Sequence, residues 1–148
     1  MAKRPALRPG YSWLCPSFVV KDADAALDFY QRAFGFEKRM VVPGPDGRPV
    51  HAEMAWRGIV MMFSPEGAYG CTIKTPASPG AQSPMSLYLY CDDVDAQFAR
   101  ATAAGAKAVC PPQDMFWGDR MCNVTDPDGH GWTFATNIAD FDPAKIPH

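Results

Sequence analysis

His51 and Glu53 stand two residues apart in Val50–Trp56, a segment whose pattern reads as a β-strand. Strand side chains alternate, so the two share one face. On a cavity-lining face they form an acid–base pair or orient a polar ligand; on a solvent face a His and a Glu are ordinary. Only three histidines occur; His130 lies in a turn with a structural part to play, and His148 is the last residue. The second candidate is Phe116-Trp-Gly-Asp-Arg, a loop entering a strand. There Trp117 could stack on a planar ligand, and Arg120 could pair an anionic group or lie over an aromatic face. The alternative is an Asp119–Arg120 surface pair with Trp117 covering core. The five cysteines (Cys15, Cys71, Cys91, Cys110, Cys122) form no C-x-x-C, so reduced thiols and a cytoplasmic location are expected. Cys15 has no cationic neighbour in the sequence to activate it as a nucleophile. Glycine-rich phosphate loops, H-E-x-x-H and G-x-S-x-G are all absent, which removes the nucleotide-binding and serine-hydrolase readings.

The elements that must carry these residues come in two similar halves. Trp13–Val20 reads as a strand, and Asp22 or Asp24 caps a helix with Leu27, Tyr30 and Phe34 on one face. Gly35 closes it. Strands follow at Phe36–Val42, Val50–Trp56 and Gly58–Ser64, the last two joined at Arg57-Gly58. Pro65–Pro84 is a Pro/Gly-rich loop or linker. The order then repeats: strand Met85–Cys91, a helix capped by Asp92 or Asp93 and closed by Gly105, and strands at Ala106–Cys110, Arg120–Thr125 and His130–Thr136. Pro111–Asp119 reads as a loop. Asp22 to Gly35 and Asp92 to Gly105 span the same distance at an offset of 70 residues. Two tandem βαβββ units of an α+β fold account for this. The expected organisation is an arm over 1–12, a first module over 13–64, a linker over 65–84, a second module over 85–137 and a tail over 138–148.

Fourteen basic against sixteen acidic residues leave a net charge of −2, without the basic footprint that nucleic-acid binding demands. Apolar runs such as Gly58–Phe63 fall far short of the about 20 residues a membrane-spanning helix needs. Lys3, Arg4 and Arg8 are interrupted by Pro5 and Pro9 and precede no apolar stretch, unlike a signal peptide. The opening segment therefore reads as a flexible arm or one that packs on a partner subunit.

Four pieces stand out: Lys21-Asp-Ala-Asp-Ala-Ala-Leu-Asp-Phe-Tyr-Gln-Arg-Ala-Phe-Gly-Phe, Asp46-Gly-Arg-Pro-Val-His-Ala-Glu, Phe116-Trp-Gly-Asp-Arg and Asp126-Pro-Asp-Gly-His-Gly-Trp. Together they resemble the vicinal oxygen chelate superfamily of glyoxalases, bleomycin-resistance proteins and dioxygenases. The PhnB-like branch is the nearest. The resemblance covers Trp13 to Asn137 and implies paired βαβββ modules forming a curved mixed sheet around one cavity, commonly in a homodimer. Metal-using members draw His, Glu or Gln from the first and last strand of each module. The matching positions here are Cys15, Met61, Ser86 and Thr133, at offsets of 71 and 72 between modules. Such a set does not suit Ni²⁺, Zn²⁺, Mg²⁺ or Fe²⁺.

Residues in phase with those positions would face the same cavity: Ser17 and Val19, Ile59 and Phe63, Tyr88 and Tyr90, and Ala135. The wall is then apolar and aromatic with a few hydroxyls, as in small-molecule pockets. The resemblance and the missing donors together imply a metal-independent, cofactor-free protein that sequesters a small organic molecule, aromatic or drug-like. Its contacts would be Cys15, Ser17, His51, Glu53, Met61, Phe63, Ser86, Tyr88, Trp117, Arg120 and Thr133. The rival expectation is a metal-dependent lyase, isomerase or dioxygenase with an atypical site at His51 and Glu53. A structural or regulatory domain with a filled cavity is the third.

Overall fold

A computed structural model describes residues 3–147; His148 lies outside them. The chain divides into two compact units, one reaching to Gln31 and resuming over Gly35–Lys74, the other comprising Arg32–Phe34 and the described residues from Thr75 on. Each carries one βαβββ module with its own four-stranded mixed sheet. No helix among the described residues is long and apolar enough to cross a membrane.

The first unit holds β1 (Ser17–Val20), all but the last turn of α1 (Ala23–Phe34, whose Arg32–Phe34 belong to the second unit), β2 (Glu37–Pro43), β3 (Pro49–Trp56) and β4 (Ile59–Pro65). Its strand order is β1-β4-β3-β2, with β1 parallel to β4 and the other pairs antiparallel. Asp22 is the cap: its side chain accepts from Ala25 N at 2.9 Å. A cap of this kind is worth about 1 kcal/mol. The apolar stripe of α1 then packs on the sheet, where the buried ring of Tyr30 meets Phe18, Phe63 and Phe36 at centroid distances of 5.7–6.0 Å. The first strand is shorter than the expected Trp13–Val20. Pro16 has no N–H to add to a ladder, and Trp13 and Leu14 stand exposed.

The second unit holds β5 (Ser86–Tyr90), α2 (Val94–Ala103), β6 (Lys107–Asp114), β7 (Asp119–Thr125) and β8 (Gly131–Asn137). The order β5-β8-β7-β6 repeats that of the first unit, again with the outer first strand parallel to the last. Asp93 caps α2 through Ala96 N. Trp132 and Phe134 are fully buried, each 5.0 Å from the ring of Phe34. The expected Pro111–Asp119 loop is in large part strand. An edge position lets β6 run through Pro111 and Pro112, with register shifts between Ala108 and Cys110 and between Cys110 and Gln113.

Candidate functional site

Strand register decides which residues share a face. In the first unit Ser17 pairs with Met62, Met62 with Glu53, and Glu53 with Met40. His51, Val19 and Ser64 follow in phase, all on the face turned away from α1. Met61 and Phe63 take the other face: Met61 is buried opposite Met54, and Phe63 stacks on Phe18 beneath Tyr30. The expected phase of β4 was therefore one residue out, and Met61, Phe63 and Ile59 belong to the helix side. The correction makes the repeat more regular. Ser17–Met62 and Tyr88–Thr133 are equivalent register pairs, both offset by 71 residues.

Glu53 is the polar centre of this face, 1% exposed. Its carboxylate accepts from the Tyr11 hydroxyl at 2.8 and 2.7 Å and contacts His51 Nε2 at 3.3 Å. Ser64 Oγ lies 3.5 Å from His51 Nδ1. With the carboxylate as acceptor, His51 presents a hydrogen on Nε2. Cys15 is apart from this chain, ahead of β1, with its Sγ donating to Ser12 O at 3.2 Å.

In the second unit Ser86, Tyr88, Tyr90, Asp119, Met121, Asn123, Thr133, Ala135 and Asn137 share the face away from α2. Asp119 organises it. This carboxylate is 3% exposed; Oδ2 accepts from the hydroxyls of Tyr88 (2.8 Å) and Tyr90 (2.9 Å), and Oδ1 from Asn137 Nδ2 at 3.1 Å. Trp117 Nε1 reaches the Tyr88 hydroxyl at 3.4 Å. Burial alone would raise the Asp119 pKa, but the bonds donated by Asn137, Tyr88 and Tyr90 outweigh it and hold the group below its ordinary value. Burial pushes the Tyr88 phenol up to about 12, with the neighbouring Asp119 adding to the effect. Both phenols therefore stay protonated and donate. Their rings lie 5.6 Å apart at 63° and remain half exposed. Beside them Thr133 Oγ1 accepts from Asn123 Nδ2 at 2.6 Å and lies 2.8 Å from Ser86 Oγ.

Of the expected contacts, Ser86, Tyr88, Trp117 and Thr133 come together here. Arg120 does not. It sits on the helix side, bound through Nε and Nη2 to both carboxylate oxygens of Asp95 at 2.8 and 2.9 Å and through Nη1 to Asp114 at 2.8 Å. These bonds raise the Arg120 pKa and hold the Asp95 carboxyl below its usual range. The suggested Asp119–Arg120 pair is likewise absent, because adjacent strand residues point to opposite faces. Asp119, Asn123 and Asn137 were missed; alternation from Thr133 and its partner strand was the signal that reaches them. A cleft of about 700 Å³ opens at one end of this unit, lined by the 80–86 loop, Lys107, Thr125 and Trp132. It touches Ser86 and Asn123 but not Tyr88, Trp117 or Asp119.

The loop that presents Trp117 and Asp119 turns at Gly118, whose carbonyl accepts from Ile138 N (2.8 Å), Ala139 N (3.0 Å) and Asn137 Nδ2 (3.1 Å). Gly118 has φ +99°, and a Cβ there would run into the Ala139 carbonyl. Gly118→Ala should therefore cost about 2 kcal/mol or more in urea unfolding and weaken the Trp117–Tyr88 contact, read from tryptophan emission.

The register-equivalent positions carry few metal donors. Ser17 and Met62 in the first unit, and Ser86, Tyr88 and Thr133 in the second, offer hydroxyls and one thioether. No group of three or more His, Cys, Asp or Glu among the described residues could hold an ion. This donor set does not fit the divalent metal that metal-using members of such a fold carry.

The comparisons agree with the fold. A family model described as "Glyoxalase/Bleomycin resistance protein/Dioxygenase superfamily" matches residues 14–134. An uncharacterised protein of Mycobacterium bovis is 39% identical over 135 residues, covering 90% of this chain and 88% of that one. The same organism's "Putative glyoxylase CFP32" is 31% identical over 87% of this chain, which spans only 46% of its length. Among solved structures, TioX from Micromonospora sp. ML1 superposes with a TM-score of 0.69 at 32% identity, over 86% of this chain and 99% of that one. With its tandem βαβββ modules and a family match over most of its length, this chain belongs to the Glyoxalase/Bleomycin resistance protein/Dioxygenase superfamily.

Proposed function

We propose that the protein binds a small, planar organic molecule on the tyrosine-lined face of its second unit and acts by sequestration, without a metal. The observation that carries this is the aromatic shelf itself. Tyr88 and Tyr90 expose 44% and 56% of their surface while Asp119 holds their hydroxyls. Immobilised rings of this kind lose little entropy when a ligand stacks on them. Trp117 adds a third ring, and Ser86, Asn123 and Thr133 supply hydroxyl and amide contacts. The proposal places the protein in the cytoplasm as a homodimer, nearest the PhnB-like branch.

The test is a thermal-shift and calorimetric screen of planar aromatic antibiotics and metabolites against the wild type, Tyr88→Ala and Tyr90→Ala. A ligand that stabilises the wild type should bind each variant about tenfold more weakly, as the loss of one stacked ring implies. No stabilisation by any compound, or equal binding by the variants, would overturn the reading. A second reading, metal-assisted lyase, isomerase or dioxygenase chemistry, draws on the His51–Glu53 contact. Stoichiometric Ni, Zn, Mn, Fe or Cu in the purified protein, lost in His51→Ala, would establish it instead.

A further inference from the structure

The N-terminal arm brings a tyrosine to a buried carboxylate in the first unit, and its local sequence explains how. Arg8-Pro-Gly-Tyr11 closes a four-residue turn through Tyr11 N to Arg8 O at 3.2 Å. Pro9 and Gly10, the latter at φ +80°, are the pair a type II turn requires. Arg39 Nη1 donates to Gly10 O at 2.6 Å and secures the turn from β2. The Tyr11 hydroxyl is thereby delivered to both oxygens of Glu53. The Arg8 and Arg39 guanidinium carbons lie 4.7 and 4.9 Å from the centre of its ring.

We propose that Glu53, His51, Arg8 and Arg39 form a phenol-binding site, and that Tyr11 occupies it as a tethered internal ligand which a free phenol displaces. Each part of the site selects one feature of that ligand. Glu53 is buried with no Lys or Arg within salt-bridge distance among the described residues, so its oxygens rely on the hydrogen-bond donors that reach them from Tyr11 and His51. An O–H meets that need. The guanidinium groups favour an aromatic ring, because a cation over a π-face is attracted to it. An aliphatic alcohol would lack the second feature and a plain arene the first. The hydrogen bond to Glu53 raises the Tyr11 pKa, with burial and the carboxylate's charge adding to it, which keeps the phenol in its donating form.

The arm is suited to release. Trp13 and Leu14, which follow it, are 82% and 79% exposed, and most of residues 3–9 are exposed too. A site closed by its own arm for all but about 1–10% of the time would show a free phenol an affinity roughly 10- to 100-fold below its intrinsic value. This inference goes beyond the reading above, since it concerns the other unit.

The probe is p-cresol, the tyrosine side chain without its backbone, titrated calorimetrically into the full chain. Tyr11→Ala should bind it at least about tenfold more tightly than the wild type, and toluene should not bind detectably. Adding Glu53→Gln to Tyr11→Ala should abolish the gain, whereas adding Tyr88→Ala should leave it. Tyr11→Phe, which keeps the ring and removes only the hydroxyl, should also bind p-cresol more tightly than the wild type. That variant decides the matter if Tyr11→Ala fails to fold. Equal affinity in wild type and variants, no binding by either variant, or toluene binding as well as p-cresol would overturn the proposal.

Discussion

Asp126→Ala should lower stability by about 4 kcal/mol, more than any other single change considered for the second unit. Asp126 opens the Asp-Pro-Asp-Gly turn between β7 and β8 and is 4% exposed. One carboxylate oxygen accepts from Asp128 N and His130 N at 2.9 and 3.0 Å, and the other from Trp132 Nε1 at 2.9 Å. The last bond matters most, because Trp132 is fully buried and its indole N–H has no water to turn to. Hydrogen bonds to a charged group are worth about 1.5–3 kcal/mol each, and an orphaned buried donor adds its own desolvation cost. Asp126→Asn should be intermediate: its oxygen can serve the two backbone N–H groups, but its amide then faces the indole donor to donor. Urea unfolding of Asp126→Ala, Trp132→Phe and the double variant forms the cycle that checks this. A coupling of about 1–2 kcal/mol is expected; strict additivity would mean that the indole bond contributes nothing.

That turn was legible in the sequence, and so were the helices and the repeat, because each rests on local signals. Asp22 and Asp93 cap their helices through side-chain oxygens, and Leu27, Tyr30 and Phe34 recur at helical spacing. The phase of β4 had no such signal. Ile59-Val-Met-Met-Phe63 is apolar at every position, so alternation could not say whether Met61 or Met62 shares a face with Ser17. Only pairing with β1 and β3 decides it, and pairing is not local. The polar centres were hidden for related reasons. Asp119 stands next to Arg120, and an acid beside a base reads as an ion pair until the pleat sends them to opposite faces. Glu53 could be singled out, but not its partner: Tyr11 lies 42 residues away in an arm with no regular pattern. His51 and Glu53 were placed on one face by their spacing alone, and their contact at 3.3 Å is the consequence.

Asp119→Ala should cost about 3 kcal/mol and, with it, the order of the aromatic shelf. Its carboxylate serves three donors, two of them phenols with partial access to water, so the sum is discounted from that of a fully dry site. Asp119→Asn is not a neutral replacement. Asn137 Nδ2 already donates to Asp119 Oδ1, Gly118 O and Ala139 O, and the phenols donate to Oδ2. An asparagine must therefore set its own amide against one of these donors. The pH dependence follows from the depressed pKa of the folded carboxyl, which in the unfolded chain titrates near 3.8. The folded state binds its proton less readily, so Asp119 contributes its full stabilisation above that value and loses it as pH falls through the folded pKa. Asp95, bonded to Arg120, shifts the same way and adds its own loss in acid. The difference between wild type and Asp119→Asn isolates one group from the other: the wild-type advantage should shrink between about pH 5 and pH 2. A constant difference across that range would show that the carboxylate's charge does not hold the two tyrosines. If ligand binding uses the shelf, affinity in Asp119→Asn should fall at neutral pH even where the variant is fully folded, since Tyr88 and Tyr90 then spend binding energy on becoming ordered.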